Sequence, residues 1–311
     1  MAHYSILQMN DIQQIFNQYG LQAVDYHPIE AGSSNTSYVV STVKTQYVLT
    51  IFEIDRSRVE KIDKVLRLLE TSAFPATRLQ RSPQGETITS FQDKPVLVKI
   101  YIEGQVTADL NASMLEQLGT AMAKLHSIHP PDFLADHFAY GLQSFPRVLG
   151  HGIDLPYENW ITERLKFFNR EIPQDLPRGF IHGDVFFDNV LFEGSTLKAL
   201  IDFEEVCYYY KVFDLGMAVV GLCAQDSQIS LPRARSLIHG YQMLTALTGP
   251  EKENLQLFAE YAAIATSTWR YWKYNIDTPI TEKADKHHEM ARIARQLSSI
   301  PEKVFIDTVF G

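Results

Sequence analysis

The sequence predicts an α+β protein: a small β-sheet lobe with a helix at the N-terminus, then a larger, mainly helical lobe. Three observations predict it. Up to about residue 102 the apolar residues sit mostly in short, β-branched runs bounded by turn-forming clusters. Beyond Ile102-Glu103-Gly104-Gln105 they recur at helical spacing over long stretches. One short β-rich island, 179–203, interrupts the helices. Strands first and helices later is an α+β pattern. It divides the chain into lobes 1–102 and 103–311, with a hinge at 102–106. A hinge of this kind leaves a cleft, where small ligands bind.

In the first lobe, 11–19 reads as a short helix stopped by Gly20, and 24–29 as extended. Residues 31–36 form a turn cluster rich in Gly and Ser, and the runs 37–41 and 46–52 make a hairpin. Residues 57–71 carry Val59, Ile62, Val65, Leu66 and Leu69 at helical spacing. The runs 86–90 and 95–102 suggest a second hairpin with Asp93 and Lys94 in its turn. The second lobe reads as helices at 112–126, 157–170, 231–247, 254–275 and 282–298. There is no repeat of fixed period and no low-complexity tract.

Composition narrows the function. The 311 residues are 45% hydrophobic and 21% charged, as in an ordinary globular protein. A net charge of -9 argues against nucleic acid or an anionic membrane as partner. A nucleoside triphosphate is different, because magnesium and backbone amides meet its charge locally. The two cysteines, Cys207 and Cys223, are too few for a disulfide framework, so both are expected to be reduced. No apolar run approaches the roughly 20 residues that span a bilayer. These features point to the cytoplasm.

The chemistry is concentrated in Ile181-His182-Gly183-Asp184-Val185-Phe186-Phe187-Asp188-Asn189, followed by Leu200-Ile201-Asp202-Phe203. An apolar strand runs into a polar loop, a hairpin follows, and an acidic residue ends it. Phosphoryl transfer needs such a set: one carboxylate beside the attacking hydroxyl, and further hard oxygens to hold magnesium against the phosphates. In the kinase pattern an Asp and an Asn of one loop and a later Asp take these roles.

These residues resemble the aminoglycoside phosphotransferase and choline kinase superfamily, relatives of the protein kinases. The resemblance covers nearly the whole chain. The runs Leu176-Pro177-Arg178-Gly179-Phe180-Ile181-His182, Phe213-Asp214-Leu215-Gly216 and Tyr47-Val48-Leu49-Thr50-Ile51-Phe52-Glu53 are similar to its bacterial homoserine kinases. The resemblance implies a two-lobed protein-kinase-like fold, ATP and Mg2+. It implies Asp184 as catalytic base, Asn189 and Asp202 as magnesium ligands, and His182 and Asp214 as supports of the loop. The 31–36 turn stands where a phosphate-covering turn belongs. There Gly32 permits close approach, and Ser33, Ser34 and Asn35 offer donors. The stretch around Tyr101 and Glu103 stands where the backbone would read adenine.

One departure is plain. Where many relatives carry a strand lysine for the α- and β-phosphates, this chain has Thr50. Lys44, Lys61 and Lys99 are left as candidates for that charge. For the acceptor pocket, Trp269 and Trp272 share a helix face next to Arg270, which could grip a carboxylate. Tyr208 is expected at the cleft rim, and Asp226 could meet an ammonium. His287-His288 reads as exposed surface, since adjacent helical residues diverge by about 100°.

The expected activity is transfer of the γ-phosphoryl group to a small-molecule hydroxyl, with homoserine, giving O-phosphohomoserine, the first choice. An aminoglycoside, choline, methylthioribose or another sugar keeps the chemistry and changes the acceptor. A nucleotide-binding module without catalysis is the reading from another class.

Overall fold

The computed structural model describes residues 6–29, 35–225 and 227–311. The chain divides into two compact units, Met1–Gln105 with Lys198–Glu204, and Val106–Leu197 with Glu205–Gly311.

The first unit is built on a five-stranded antiparallel sheet. Helix α1 (Met9–Gln18) precedes strands β1 (Asp25–Pro28), β2 (Thr36–Ser41) and β3 (Gln46–Ile51). Helix α2 (Arg56–Thr71) leads to β4 (Ile88–Phe91) and β5 (Lys94–Ile100), and the strand order is β1-β2-β3-β5-β4. Alternation along the strands sorts the residues by face. Tyr47, Leu49 and Ile51 of β3 and Val96 and Val98 of β5 join Ile12, Ile15 and Phe16 of α1 in one core. Ile12, Ile15 and Phe16 are fully buried, and each such side chain contributes about 1.5–3 kcal/mol. The intervening residues Val48, Thr50, Leu97 and Lys99 therefore share the other face.

The β4–β5 hairpin differs by one residue from the sequence reading. Phe91 pairs with Lys94, so the two-residue turn is Gln92-Asp93 and Lys94 is already strand. Both turn residues have positive φ, 50° and 63°, as a type I′ turn demands.

The second unit is mainly helical. It holds α3 (Ala112–Ser127), α4 (Leu155–Glu171), β6 (Arg178–Ile181) and β7 (Val190–Glu193), which turns into β8 (Thr196–Leu200). The last residues of β8 belong to the first unit. There follow β9 (Cys207–Tyr210), α5 (Lys211–Cys223), β10 (Ala224–Gln225), β11 (Gln228–Ile229), α6 (Leu231–Gln242), α7 (Gly249–Tyr271), α8 (His287–Ser299) and α9 (Glu302–Phe310). No described helix is long and apolar enough to cross a membrane. Strand β6 pairs antiparallel with β9, from Arg178 against Tyr210 to Ile181 against Cys207. Helices α3 and α6 touch backbone to backbone. A Cβ on Gly119 would stand 2.0 Å from the Leu237 carbonyl oxygen, so only glycine allows the crossing.

Helix α5 has no bounds in the sequence reading. Nearly all its residues are buried, so no polar face marks a period. Helix α7 starts earlier than its apolar pattern. Thr248 and Glu251 form a reciprocal capping box there. The chain then widens into a π-helical segment, Trp272–Asp277.

The loop before α4 is organised by one buried carboxylate. Glu158 Oε2 accepts the amides of Gly150, His151 and Gly152 at 2.9, 3.1 and 3.2 Å. Its Oε1 accepts the Ile153 amide at 3.1 Å and the Tyr271 hydroxyl at 2.8 Å. Burial alone would raise its pKa. The Tyr271 hydroxyl and the loop amides outweigh burial and hold it below the ordinary carboxylate value. Glu158→Ala leaves several buried donors unpaired and should cost about 3 kcal/mol in denaturant unfolding. A depressed carboxylate contributes stability above its unfolded value, about 4.3, and loses it as the pH falls below that value. The gap between wild type and Glu158→Gln should therefore be full near neutrality and shrink below about pH 4. A gap that does not change with pH would contradict this account.

Candidate active site

The loop after β6 hangs on Asp214, in the first turn of α5. Asp214 is fully buried. Its Oδ2 accepts the His182 amide at 3.0 Å, and its Oδ1 accepts the Gly183 amide at 2.8 Å. His126 Nε2 lies 2.9 Å from Oδ2, and His126 Nδ1 lies 3.0 Å from the Tyr241 hydroxyl. Burial works against the charge on Asp214. The hydrogen bond and charge of His126, then His182 and the Gly183 amide, prevail and keep its pKa low. Asp214 is thus no helix cap. The N-cap of α5 is Tyr210, and no side chain caps it.

The loop backbone can follow this path because position 183 is glycine. Its φ is +84°, and a Cβ there would lie 2.9 Å from the Glu205 carbonyl oxygen. Past this point the His182 ring turns back, and its Nδ1 accepts the Asp184 amide at 3.2 Å. The Asn189 amide nitrogen donates to the Asp184 carbonyl at 2.9 Å and to Asp184 Oδ2 at 3.0 Å. So Asp184, Asn189, His182 and Asp214 stand in one hydrogen-bonded cluster. Asp184 and Asn189 are half-buried, while His182 is fully buried. With its nitrogen turned to Asp184, Asn189 keeps its oxygen for another partner, such as a hard cation.

Asp202 belongs to the first unit. It is exposed and has a φ of +64°, a conformation non-glycine residues rarely adopt and one that clusters at functional positions. In the same unit Asn35 donates to Glu204 Oε1 at 2.9 Å. Gly32, Ser33 and Ser34, and likewise Asp226, lie outside the described residues. The Tyr101 amide donates to the Gln46 carbonyl at 3.2 Å, so this N–H is committed within the sheet. Glu103 is exposed.

The first unit also separates the three lysines. Lys44 is exposed in the turn after β2, and Lys61 is on α2. Lys99 is on β5, opposite Val48, while Thr50 is opposite Leu97. Directly opposed residues of an antiparallel pair point to the same face. Lys99 therefore shares its sheet face with Thr50, one strand away. Burial lowers the pKa of its ammonium, and Glu204 and then Asp202 oppose that fall without cancelling it.

Around the expected substrate residues, the second unit shows a different guanidinium. Arg270 Nη1 donates to Glu289 at 2.7 Å and to the Lys286 carbonyl at 3.3 Å. It is an ion-paired residue, not an open anion grip. Trp269 packs edge-on against Tyr140 and Tyr274, and Tyr208 lies under the Arg178 guanidinium. Arg147, which no sequence pattern marks, lies 4.2 Å from the Trp272 ring centre and 5.3 Å from that of Tyr140. Its Nε and Nη2 are buried and find no hydrogen-bond partner among the described residues. The Tyr140 hydroxyl donates to Glu205 Oε1 at 3.3 Å, and the Glu205 backbone borders Gly183. A chain of contacts thus links Arg147 to the Asp184 loop.

A buried aspartate that fixes a His-Gly-Asp loop, an Asn clasping the Asp, and a sheet-bearing first unit define a kinase-like protein. The model of the phosphotransferase enzyme family matches residues 25–250, well over half the chain, and the chain belongs to that family. It is an enzyme, a small-molecule phosphotransferase of the kinase type. Its relatives include a homoserine kinase of Zymomonas mobilis, 25% identical over 307 residues, covering 90% of this chain and 91% of that one. A homoserine kinase of Nitrobacter winogradskyi is 26% identical over 275 residues, covering 85% and 84%. Among solved structures, a microcompartment-associated aminopropanol kinase matches with a TM-score of 0.72 at 19% identity, covering 98% of this chain and 99% of that one. A spectinomycin phosphotransferase in complex with ADP and spectinomycin matches with a TM-score of 0.65 at 13% identity, covering 99% of each. These likenesses show the α+β protein-kinase-like fold.

Proposed function

We propose that the chain transfers the γ-phosphoryl group of ATP to the hydroxyl of homoserine, using Asp184 as base. The observation that carries the reading is the clasp on Asp184, whose carboxylate and carbonyl both receive the Asn189 amide. That clasp orients the second carboxylate oxygen for a substrate hydroxyl. In the reaction the hydroxyl oxygen bonds to the γ-phosphorus as the bond to the bridging oxygen breaks. Asp184 accepts the hydroxyl proton, and ADP leaves with the bond's electrons.

The two units act as the lobes, with the linker near 102–106 as hinge. The Asn189 oxygen and the Asp202 carboxylate are hard donors of the kind magnesium takes, and they would hold it. Magnesium, when bound, neutralises charge developing on the phosphates. The 31–36 turn would cover the phosphates, and the backbone at 101–103 would meet adenine. Lys99 supplies the cation absent from position 50. Its support is its place on the Thr50 face of the sheet, beside the carboxylates of Glu204 and Asp202. Cys207 and Cys223 are buried and in no disulfide among the described residues, which fits a reducing cytoplasm.

Homoserine is favoured over choline and the aminoglycosides by two considerations. The curated relatives cited above are homoserine kinases over most of their length. Homoserine also carries a carboxylate, which choline lacks, and Arg147 has buried donors without partners. A panel of homoserine, choline, an aminoglycoside and methylthioribose, read by ADP release, tests the acceptor. Homoserine should give the strongest signal. Arg147→Met should raise its KM about tenfold or more with a smaller change in kcat. No homoserine signal beside a strong signal from another acceptor would overturn this choice.

Lys99→Met should lower kcat/KM for ATP about 100-fold, as loss of a transition-state charge does. Thr50→Lys added to that variant should restore part of the loss, because it places an ammonium on the same face. Normal turnover in Lys99→Met would remove Lys99 from the role.

A further inference from the structure

The mechanism leaves one cluster unused, at the N-termini of α4 and α8. Asp154 is the N-cap of α4, and its Oδ1 accepts the Tyr157 amide at 3.0 Å. Its Oδ2 lies 3.5 Å from His287 Nε2 and 3.3 Å from His288 Nε2. The exposed pair expected at 287–288 is thereby corrected. His287 is only 3% exposed, and the two ring centres are 4.0 Å apart. Successive residues can converge here because His287 opens α8 and follows the 3₁₀ segment Thr281–Lys286.

The hydrogen bonds of His287 set its tautomer. Its Nδ1 lies 2.8 Å from the Ala284 carbonyl oxygen, which can only accept. Nδ1 therefore carries the proton, and in the neutral ring Nε2 presents a lone pair. That Nε2 is buried and has no hydrogen-bond partner among the described residues. It faces a carboxylate oxygen, which is also an acceptor. Two lone pairs left facing each other at the edge of the core call for a cation between them.

We propose that Asp154, His287 and His288 form a binding site for a divalent first-row transition ion, zinc foremost. Zinc bonds of about 2.0–2.1 Å at tetrahedral angles set ligand atoms about 3.3 Å apart. The two measured separations from Asp154 Oδ2 match that edge, and the three ligand atoms all lie within 4.8 Å of one another. Two imidazoles and one carboxylate select zinc, nickel or copper over magnesium, so the site is chemically separate from the catalytic metal. The outer contacts are those that hold metal ligands in place. The Ala284 carbonyl fixes one imidazole, the Tyr157 amide fixes the carboxylate, and Ser267 Oγ donates to the His287 carbonyl at 2.8 Å. The Tyr157 and Tyr271 rings wall His287 at 4.5 and 4.8 Å. The His288 side chain is 43% exposed, which leaves an entry path and room for a water as fourth ligand. A bound ion would tie the start of α4 to the start of α8 and stabilise the helical unit.

The test uses the full chain, stripped with a chelator and titrated with zinc against a chromophoric competitor, with thermal unfolding followed in parallel. One zinc per chain should bind at this site and raise the melting temperature. His288→Ala, at a half-exposed position, and Asp154→Asn, which keeps a good N-cap, should each fold and weaken zinc binding at least tenfold. Asp202→Asn should leave this affinity unchanged, which separates the site from the proposed magnesium ligands. No zinc uptake, or equal uptake in His288→Ala and Asp154→Asn, would overturn the proposal. A second proton on His287 would then be what satisfies Asp154.

Discussion

A fully buried carboxylate, Asp214, receives two consecutive backbone amides and one imidazole, and the loop 182–189 rests on that arrangement. An isolated buried charge is costly, and removing one partner of such a pair costs about 3–5 kcal/mol. Here three donors share the charge, and the Tyr241 hydroxyl in turn meets the far nitrogen of His126. The loop therefore has little freedom to relax. Gly183 follows a path that no side chain could share. The benefit appears at the next residue, Asp184, whose amide and carboxylate both have fixed partners. The proposed general base must stand within about 3 Å of the proton it removes, and preorganisation of this kind would serve that role.

The first unit contributes by other means. Asp202 is held in a left-handed conformation on a short segment, Lys198–Glu204, that belongs to that unit although its neighbours in sequence do not. Strain at a single residue is affordable where the surrounding structure determines it. The sheet adds Lys99 on the face it shares with Thr50. A cation moved from β3 to β5 stays on that face, because the pleat and the pairing register keep opposed residues together. In the proposed reaction the place of the cation is thus set by the sheet face and not by the strand.

Much of this was legible in the sequence, and what was hidden was hidden for definite reasons. The order of strands and helices followed from hydrophobic period, which local sequence carries. Asp184, Asn189 and His182 stood out because their chemistry is packed into eight residues. Asp214 lay in a recognisable run, but its partner His126 did not, being one polar residue among the buried positions of α3. The bounds of helix α5 were hidden because it is buried on nearly every side. Arg147 could not be found by spacing, since what marks it is a pair of buried donors with no hydrogen-bond partner among the described residues. Arg270 looked suitable beside Trp269, yet Glu289, nineteen residues on, takes its charge. The His287-His288 pair misled for a related reason. The 100° rule holds inside a helix and fails at the first residue, where the chain enters from a different direction.

The central claim is that Asp184 removes the proton from the acceptor hydroxyl. It is tested most directly by single-turnover phosphoryl transfer from labelled ATP in Asp184→Asn, with nucleotide affinity measured on the same variant. The account predicts that transfer slows by about 100-fold or more while nucleotide affinity stays near that of the wild type. Transfer at close to the wild-type rate would contradict it.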